Sequence, residues 1–429
     1  MTRNRIDLDR DVPVLLVRVG HYPQHHGVVG AIRSLGRLGV PVYAMVENRW
    51  TPAARSRYLT AGFVAPCSGL EPTRQLVDTV MGLGRAVGRR AVALPTDDEA
   101  AVLLAENAQE LAEHFLLPSV PSGLPRRLAD KAGLYEICTA TGTPTPRAAA
   151  PPDLDAVRAT ALAWGYPLIL KNLAPYTRLR SPVVGHSTVV RDEAELVSFC
   201  APGAGANGDG PSVLLQEYLP PEHSQDWCAH LVCGPGGEPL TVFTGRKVRS
   251  WPPDAGVTAR GSAESSPELA RLAAELCRRI GYAGAADMDW RYDGRDGRYK
   301  LVDFNPRTGA QFRMFETVDG VDVVRALHLS LTGRPVPDGP QRERQFASAL
   351  LDVPSALVQA WNERRVPPSV GPRRSTERAW LCRDDPLPGL VELGWYSGTV
   401  ADKAVGAARR IRGAHQHATG RPSEDRTRR

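Results

Sequence analysis

The 429-residue sequence lacks the long hydrophobic runs that a membrane protein needs. No apolar stretch approaches the ~20 residues of a membrane-spanning helix. The N-terminal apolar run is short, follows several acidic residues and has no small-residue cleavage site, which disfavours a signal peptide. We therefore expect a cytoplasmic protein with no integral membrane segment.

Paired cysteines and two common catalytic motifs are also missing. No CxxC occurs, and the seven cysteines are scattered and odd in number, so we expect reduced thiols. Neither GxSxG nor GxxxxGK[ST] is present, which weighs against serine hydrolases and P-loop ATPases. Much of the net charge of +6 lies in the Arg-rich segment from Arg409 to Arg429, which has no interleaved aromatic residues. We interpret the tail, from about residue 413, as disordered and solvated, with no nucleic acid as partner.

The length allows about three domains of ~150 residues. Alternating buried strands and helices in residues 1–115 predict an α/β domain with a parallel sheet. A Pro-rich stretch then marks a boundary, which gives a second, α+β domain over 116–335 and a C-terminal extension over 336–429. In that extension, residues 380–390 resemble a sheet-edge segment, and 400–411 form an amphipathic pattern.

A β-hairpin near the end of the second domain is the most informative feature. A helix over 265–280, with a capping box of Ser265 and Glu268, precedes strands over 286–292 and 298–305 joined by DGRDG. Because strand side chains alternate between faces, Asp289 is predicted to lie beside Asp303 across the ladder.

Two carboxylates opposed on a sheet repel each other, and a divalent cation between them removes the penalty. Asp289, Asp303 and Asn305 offer only oxygen ligands, which suit Mg²⁺ or Mn²⁺ and point to a bound nucleotide. The alternative is an edge hairpin whose aspartates face solvent.

Two lysines are candidates for phosphate binding. Lys171 ends the apolar run PLIL, where a lone lysine must reach water or meet an anion. Lys131 opens a predicted helix, where its charge opposes the helix dipole. Each lysine alone is typical of a surface position, but together with the acidic hairpin they indicate a phosphate clamp.

Four motifs occur in the order found in the ATP-grasp ligases, and the chain resembles that family over about residues 116–333. They are Asp130-Lys131 followed by Gly142-Thr143-Pro144-Thr145-Pro146, the strand ending in Lys171, the segment LQEYL over 215–219, and DFNPR over 303–307. Asp303 stands where glutamate is usual, and Asn172 where proline is more common. Within the family, carboxylate–amine ligases of the D-aspartate ligase type are most similar.

The resemblance implies a two-lobed ATP-grasp domain with a hinge near 214–220, preceded by an α/β domain. It also implies ATP and Mg²⁺ (or Mn²⁺) as cofactors. The nucleotide would contact Lys131, Lys171, Gln216, Glu217, Tyr218, Leu219 and Asp226, with His223 as another ribose candidate. The phosphate-covering loop would lie between Lys171 and Val190, with candidates Arg178, Arg180, Ser181 and Gly185.

The reaction implied is activation of a carboxylate as an acyl phosphate, followed by attack of an amine, with small-molecule substrates such as amino acids or peptides. Arg307 and one of Lys247, Arg249 or Arg260 would stabilise the developing charge, and Arg313 would hold the substrate carboxylate. Two alternatives stay open: a bicarbonate-using carboxylase or carbamoyl-phosphate-type enzyme, and a nucleotide-binding regulator without turnover. A homodimer is one alternative for the oligomeric state.

The histidines of the loop GHYPQHHGVVG, His21, His25 and His26, precede the first predicted helix. A helix N-terminus attracts anions, so this loop is a further candidate for binding a substrate carboxylate. A structural or solvent-facing role is the simpler interpretation.

Overall fold

The computed structural model describes residues 6–22, 25–65, 67–173, 182–184, 187–200, 213–251, 256–364, 367 and 376–397. The phosphate-loop candidates Arg178, Arg180, Ser181 and Gly185, the pattern over 400–411 and the basic tail lie outside these residues. Three sheets organise the described chain, and the predicted combination of α/β and α+β architecture is confirmed.

The first sheet has five parallel strands in the order β3-β2-β1-β4-β5. They are β1 Val14–Val17, β2 Val42–Val46, β3 Ala61–Val64, β4 Ala91–Pro95 and β5 Phe115–Leu116. Its helices are α1 His26–Gly36, α2 Thr73–Val87, α3 Asp98–Glu106 and α4 Ala108–Leu111. Alternate residues of β1 pack into two cores, one on each face of the sheet, as expected for parallel strands covered on both sides.

The second sheet is small and antiparallel, with strand order β6-β9-β7-β8. Its strands are β6 Ala148–Ala149, β7 Leu168–Asn172, β8 Thr188–Val190 and β9 Val213–Glu217. The accompanying helices are α5 Leu124–Ala129, α6 Lys131–Thr141, α7 Leu154–Trp164 and α8 Glu193–Cys200. The predicted hinge lies at β9 and the residues after it, where the chain passes from the second sheet to the third.

The third sheet has seven strands in the order β14-β13-β10-β11-β12-β15-β16. They are β10 Ser224–Cys233, β11 Pro239–Trp251, β12 Val257–Ala263, β13 Gly284–Asp293, β14 Arg298–Asn305, β15 Arg344–Ala347 and β16 Thr376–Arg378. Its helices are α9 Pro267–Ile280, α10 Val323–Leu331 and α11 Ala349–Glu363, and residues 387–397 are also helical. Every pairing is antiparallel except β15 with β16.

Two local predictions were wrong. The N-cap of α9 is Ser266, whose hydroxyl accepts a hydrogen bond from the amide of Leu269, and not Ser265. The edge strand of the C-terminal extension is Thr376–Arg378, ahead of the predicted 380–390 segment. That segment instead packs on α1, where the guanidinium of Arg33 lies 2.9 Å from the carboxylate of Asp385.

Buried polar contacts fix the first sheet to the third. Arg325 on α10 donates from Nε and Nη2 to the carbonyl oxygen of Ser34 on α1, at 3.2 and 3.0 Å. The Ser34 hydroxyl in turn donates to Asp322 at 2.6 Å. No helix among the described residues is long and apolar enough to cross a membrane.

Candidate active site

The predicted hairpin forms the floor of the site, as β13 and β14. Ala286, Met288 and Trp290 on β13 point into the core, so the intervening aspartates face the other way. Asp289 lies opposite Asp303, and Asp287 opposite Asn305. The sheet register therefore brings three carboxylates and one amide together on a single face.

Lysines from other elements contact the carboxylates of Asp289 and Asp303. Lys131, at the start of α6, contacts Asp303, and the ammonium of Lys247 on β11 lies 2.6 Å from Asp289. Lys171 donates to the carbonyl oxygen of Val302 at 3.0 Å. Burial lowers the pKa of Lys171 to about 8, although nearby Asp303 acts in the opposite direction.

The pKa values of Asp289 and Asp303 shift in opposite directions, although both side chains are enclosed. Burial raises the pKa of Asp289, and its ion pair with Lys247 only partly opposes this. Burial also acts to raise the pKa of Asp303, but Lys131 and Lys171 outweigh it and the pKa is lowered. Positive charge near Asp303 thus keeps that side chain ionised.

Arg307 links the hairpin to the first sheet. Its Nε lies 3.0 Å from Asp98 at the start of α3, and its Nη1 lies 3.4 Å from Asp287. Its Nη2 donates to the side-chain oxygen of Asn305 at 3.1 Å. His230, fully buried on β10, places Nε2 2.9 Å from the other oxygen of Asp287.

Burial acts to raise the pKa of Asp287, but His230 and Arg307 outweigh it and hold the pKa well below its usual range. Gly309 lets the chain pass over this group, because a Cβ there would overlap the Asp287 carboxylate and the His230 ring. The backbone at Gly309 therefore packs directly against the pair of Asp287 and His230.

The hinge segment lines a separate cavity of about 130 Å³. Gln216, Glu217, Leu219 and Asp226 line it, together with the apolar side chains Ile169, Trp227 and Val302. Arg291 braces this wall, since it lies 2.6 Å from Asp226 and donates to the Leu219 carbonyl oxygen at 3.1 Å. Tyr218 follows Glu217 in the hinge segment but does not line this cavity.

A larger cavity of about 500 Å³ adjoins the hinge cavity. The residues common to both linings are Lys171, Ser187, Lys247, Gly256, Asp289 and Asp303. The larger cavity then extends past Lys131, Asn305 and Arg307 to the first sheet, where Tyr22, His25, His26, Asp97 and Asp98 line it. The hinge cavity thus lies next to a chamber lined by charged side chains.

Three predicted arginines lie elsewhere. Arg260 and Arg249 both pair with Asp352 on α11, at 2.8 and 2.6 Å, and neither lines a cavity of the site. Arg313 pairs with Asp322 at 2.6 Å. Of the three alternatives Lys247, Arg249 and Arg260, Lys247 is the one that faces the chamber. His223, the other ribose candidate, is exposed.

Sequence reasoning missed Asp98, His230 and Leu351 as members of the site. Asp98 carried a usable signal, because it follows a parallel strand at its carboxyl end, where such sheets bind ligands. His230 gave none, because it lies within a buried strand far from any motif. Leu351 on α11 lines the large cavity although it belongs to the C-terminal extension.

The donors at the hairpin suit a hard divalent cation. Among the described residues no group of three or more His, Cys, Asp or Glu side chains is arranged to hold a metal. Mg²⁺, however, is usually held by one or two carboxylates together with substrate phosphates. Asp289 and Asp303 supply two carboxylates and Asn305 an amide oxygen, and the ammonium groups of Lys247 and Lys131 balance the charge of the two carboxylates. These residues therefore fit the ion.

Solved structures of two enzymes share this architecture. N5-carboxyaminoimidazole synthetase from Staphylococcus aureus superposes with a TM-score of 0.58 at 12% identity, over 84% of this chain and 88% of that one. The biotin carboxylase domain of the Hydrogenobacter thermophilus 2-oxoglutarate carboxylase, crystallised with MgADP and bicarbonate, gives 0.56 at 19% identity, over 78% and 72%. This chain has the ATP-grasp fold.

One curated relative adds to the ATP-grasp likeness. D-aspartate ligase from Enterococcus faecium is 22% identical over 339 residues, which cover 75% of this chain and 77% of the relative. No family model matches the chain. These likenesses each cover three quarters or more of this chain.

Proposed function

We propose that this protein is an ATP- and Mg²⁺-dependent ligase that activates a carboxylate as an acyl phosphate and couples it to an amine, releasing ADP and phosphate. One observation carries the proposal: the hinge cavity, which has both apolar and polar walls, shares Lys171, Asp289 and Asp303 with the charged chamber. That order, a pocket with apolar and hydrogen-bonding walls followed by cations and oxygen ligands, matches a base followed by its phosphates.

The hinge cavity would hold adenine between Ile169, Trp227 and Leu219, with Asp226 available to the ribose. Lys171 and Lys131 would then hold phosphate oxygens as point charges. Both ammonium groups lie at the hairpin, so a phosphate held by them would be close to Asp303.

Asp289, Asp303 and Asn305 would hold Mg²⁺. The ion, when bound, neutralises the charge that gathers on the phosphate oxygens during transfer. Phosphoryl transfer of this kind needs positioning and charge stabilisation rather than a protein nucleophile. The side chains of the chamber would position the phosphates and stabilise their charge.

In the first step a substrate carboxylate oxygen bonds to the γ-phosphorus and the bond to the ADP oxygen breaks. In the second, the amine nitrogen bonds to the acyl carbon, loses a proton, and the phosphate leaves. Arg307, which faces the chamber beside Asn305, is the cation best located to stabilise negative charge in both steps. Lys247 is the second.

The cellular setting proposed is the cytoplasm. All seven cysteines are unpaired thiols, six of them buried, which suits a reducing compartment. The proposed substrates are small molecules, an acid together with an amino acid or peptide amine.

A second candidate is a bicarbonate-dependent carboxylase. It is favoured by the fold likeness to a biotin carboxylase domain crystallised with MgADP and bicarbonate. Bicarbonate is itself a small oxyacid, so the same chamber would suit its activation.

An ADP-release assay tests both candidates. Purified protein is given ATP and Mg²⁺ with bicarbonate alone, with single acids, and with pairs of an acid and an amine. The ligase predicts ADP release that depends on such a pair, and the carboxylase predicts release with bicarbonate. Asp303→Ala is the control for release by this site, and full activity of that variant would contradict the proposal.

A further inference from the structure

The first sheet contributes a rigidly held carboxylate to the chamber. Asp98 begins α3, directly after the N-cap Asp97. The Asp97 carboxylate accepts hydrogen bonds from the amides of Val19, Gly20 and Ala100, at 3.0, 3.1 and 2.7 Å. These bonds tie the end of β1 to the start of α3, so the backbone that carries Asp98 has little freedom.

Asp98 uses that rigidity to hold Arg307. The Asp98 side chain is 11% exposed and lies 3.0 Å from Nε of Arg307. The guanidinium makes its other contacts with its own part of the chain: Asn305, Asp287 and the carbonyl oxygen of Thr308. Asp98 therefore supplies the contact that relates Arg307 to the first sheet.

We propose that Asp98 is a positioning residue, which aims the Arg307 guanidinium at the transferring phosphoryl group; this inference rests on the proposed function. Oδ1 of Asp98 and Nε of Arg307 make no aligned hydrogen bond within the described chain, so the pair acts through charge. The contacts of Arg307 at Nη1 and Nη2 stop its guanidinium from rotating. The ion pair with Asp98 fixes the distance between this guanidinium and the first sheet.

A purely structural role explains less. The first and third sheets are already joined by the bonds of Arg325 and Ser34 and by the hydrogen bond between His328 and the Val12 carbonyl oxygen at 3.0 Å. Both Asp98 and Arg307 line the large cavity, whereas those fastening residues do not. An ion pair that lies on the wall of the chamber and is unnecessary for holding it together fits a positioning task.

The test uses MgADP with and without fluoroaluminate, which mimics a phosphoryl group in transfer. Transition-state mimics bind more tightly than ground-state ligands when the charged groups around them are correctly placed. We expect fluoroaluminate to tighten MgADP binding to the full-length protein and Asp98→Asn to reduce that gain about 10- to 100-fold. The affinity for MgADP alone should change less than the gain, because Arg307, which Asp98 positions, is proposed to act on the transferring group.

Two variants guard the interpretation. Asp98→Glu keeps the charge and should restore part of the gain. Asp9→Asn removes a carboxylate that lies 3.4 Å from Arg334, outside both cavities, and should leave the gain intact. Thermal unfolding of each variant checks that it is folded.

The outcomes separate the two proposals. A wild-type protein that does not bind MgADP overturns the proposed function. A gain that Arg307→Met abolishes and Asp98→Asn retains overturns only the positioning role. A wild type that binds MgADP without any gain removes the task assigned to Arg307, and with it the inference.

Discussion

Asp352 receives two arginines at once: Arg260 donates to its Oδ2 at 3.0 and 2.8 Å, and Arg249 to its Oδ1 at 2.9 and 2.6 Å. All three side chains are buried. This group joins β11 and β12 to α11, so its arginines are engaged in holding the fold.

We expect Asp352→Asn to lower the free energy of unfolding by about 3–5 kcal/mol, because it removes the charge of a carboxylate that two buried guanidinium groups share. The measurement is urea unfolding. Glu264→Gln, which removes a half-exposed partner 3.7 Å from Arg246, should cost no more than about 1 kcal/mol. An Arg260→Met variant that kept wild-type stability but lost the fluoroaluminate gain would contradict this structural role and indicate that Arg260 acts in catalysis.

The second prediction concerns the hairpin carboxylate that faces Asp289. We expect Asp303→Asn to lower turnover on the order of 100-fold and to weaken the Mg²⁺ dependence of ADP binding, since one of two anionic ligands is lost. The measurements are ADP release and an Mg²⁺ titration of ADP binding. Asp296→Asn, at the exposed turn of the same hairpin, is the matched control. Wild-type Mg²⁺ dependence in Asp303→Asn would exclude Asp303 as a ligand.

The third prediction uses the close approach at Gly309. A Cβ at this position would displace the Asp287 carboxylate and the His230 ring. We expect Gly309→Ala to reduce turnover about tenfold or more, because small displacements of charged groups are costly in a preorganised site. Gly82→Ala in α2 meets nothing closer than 3.8 Å and should stabilise the helix by up to about 1 kcal/mol. Full activity of Gly309→Ala would mean that the placement of Asp287 is unimportant.

The fourth prediction is a pH dependence of stability. Burial lowers the pKa of His26 to about 4, and a hydrogen bond to the backbone of Ala310 only partly opposes this. Its ordinary pKa is about 6.5, so below that pH the unfolded chain binds a proton that the folded protein does not. Stability is therefore complete above about pH 6.5 and is lost as the pH falls towards 4, by up to about 1.4 kcal/mol per pH unit.

Urea unfolding of His26→Gln between pH 7 and 4 checks this prediction. The free energy of unfolding of the variant should fall less steeply with decreasing pH than that of the wild type, because the variant lacks the imidazole that the unfolded chain protonates. His223→Gln changes an exposed histidine and should keep the wild-type slope. Equal slopes for His26→Gln and the wild type would contradict the assignment.

The periodicity of single segments predicted much of the fold. Strand β14 has the predicted bounds, because its hydrophobic pattern and the turn before it are local signals. The facing of Asp289 and Asp303 followed from the period of a strand and a short turn. Their role as metal ligands remains a prediction.

Contacts between distant segments could not be predicted in the same way. The pairing of Arg260 with Asp352 depends on where α11 packs, which a basic stretch of sequence does not reveal. Asp98 meets Arg307 only because the first sheet is fastened to the third. The N-cap at Ser266 instead of Ser265 is a shift of one residue between two serines with the same capping chemistry.

The C-terminal strands continue the sheet that carries the acidic hairpin. Because β15 pairs with β12, a chain cut short before Arg344 would leave the ladder groups of β12 open to association with a neighbouring molecule. The same stretch brings Leu351 to the chamber but not to the hinge cavity. The region proposed to recognise the nucleotide and the helix that contributes Leu351 thus come from separate parts of the polypeptide. Under the proposed function, the choice of acid or amine would be free to diverge while the energy source stays constant.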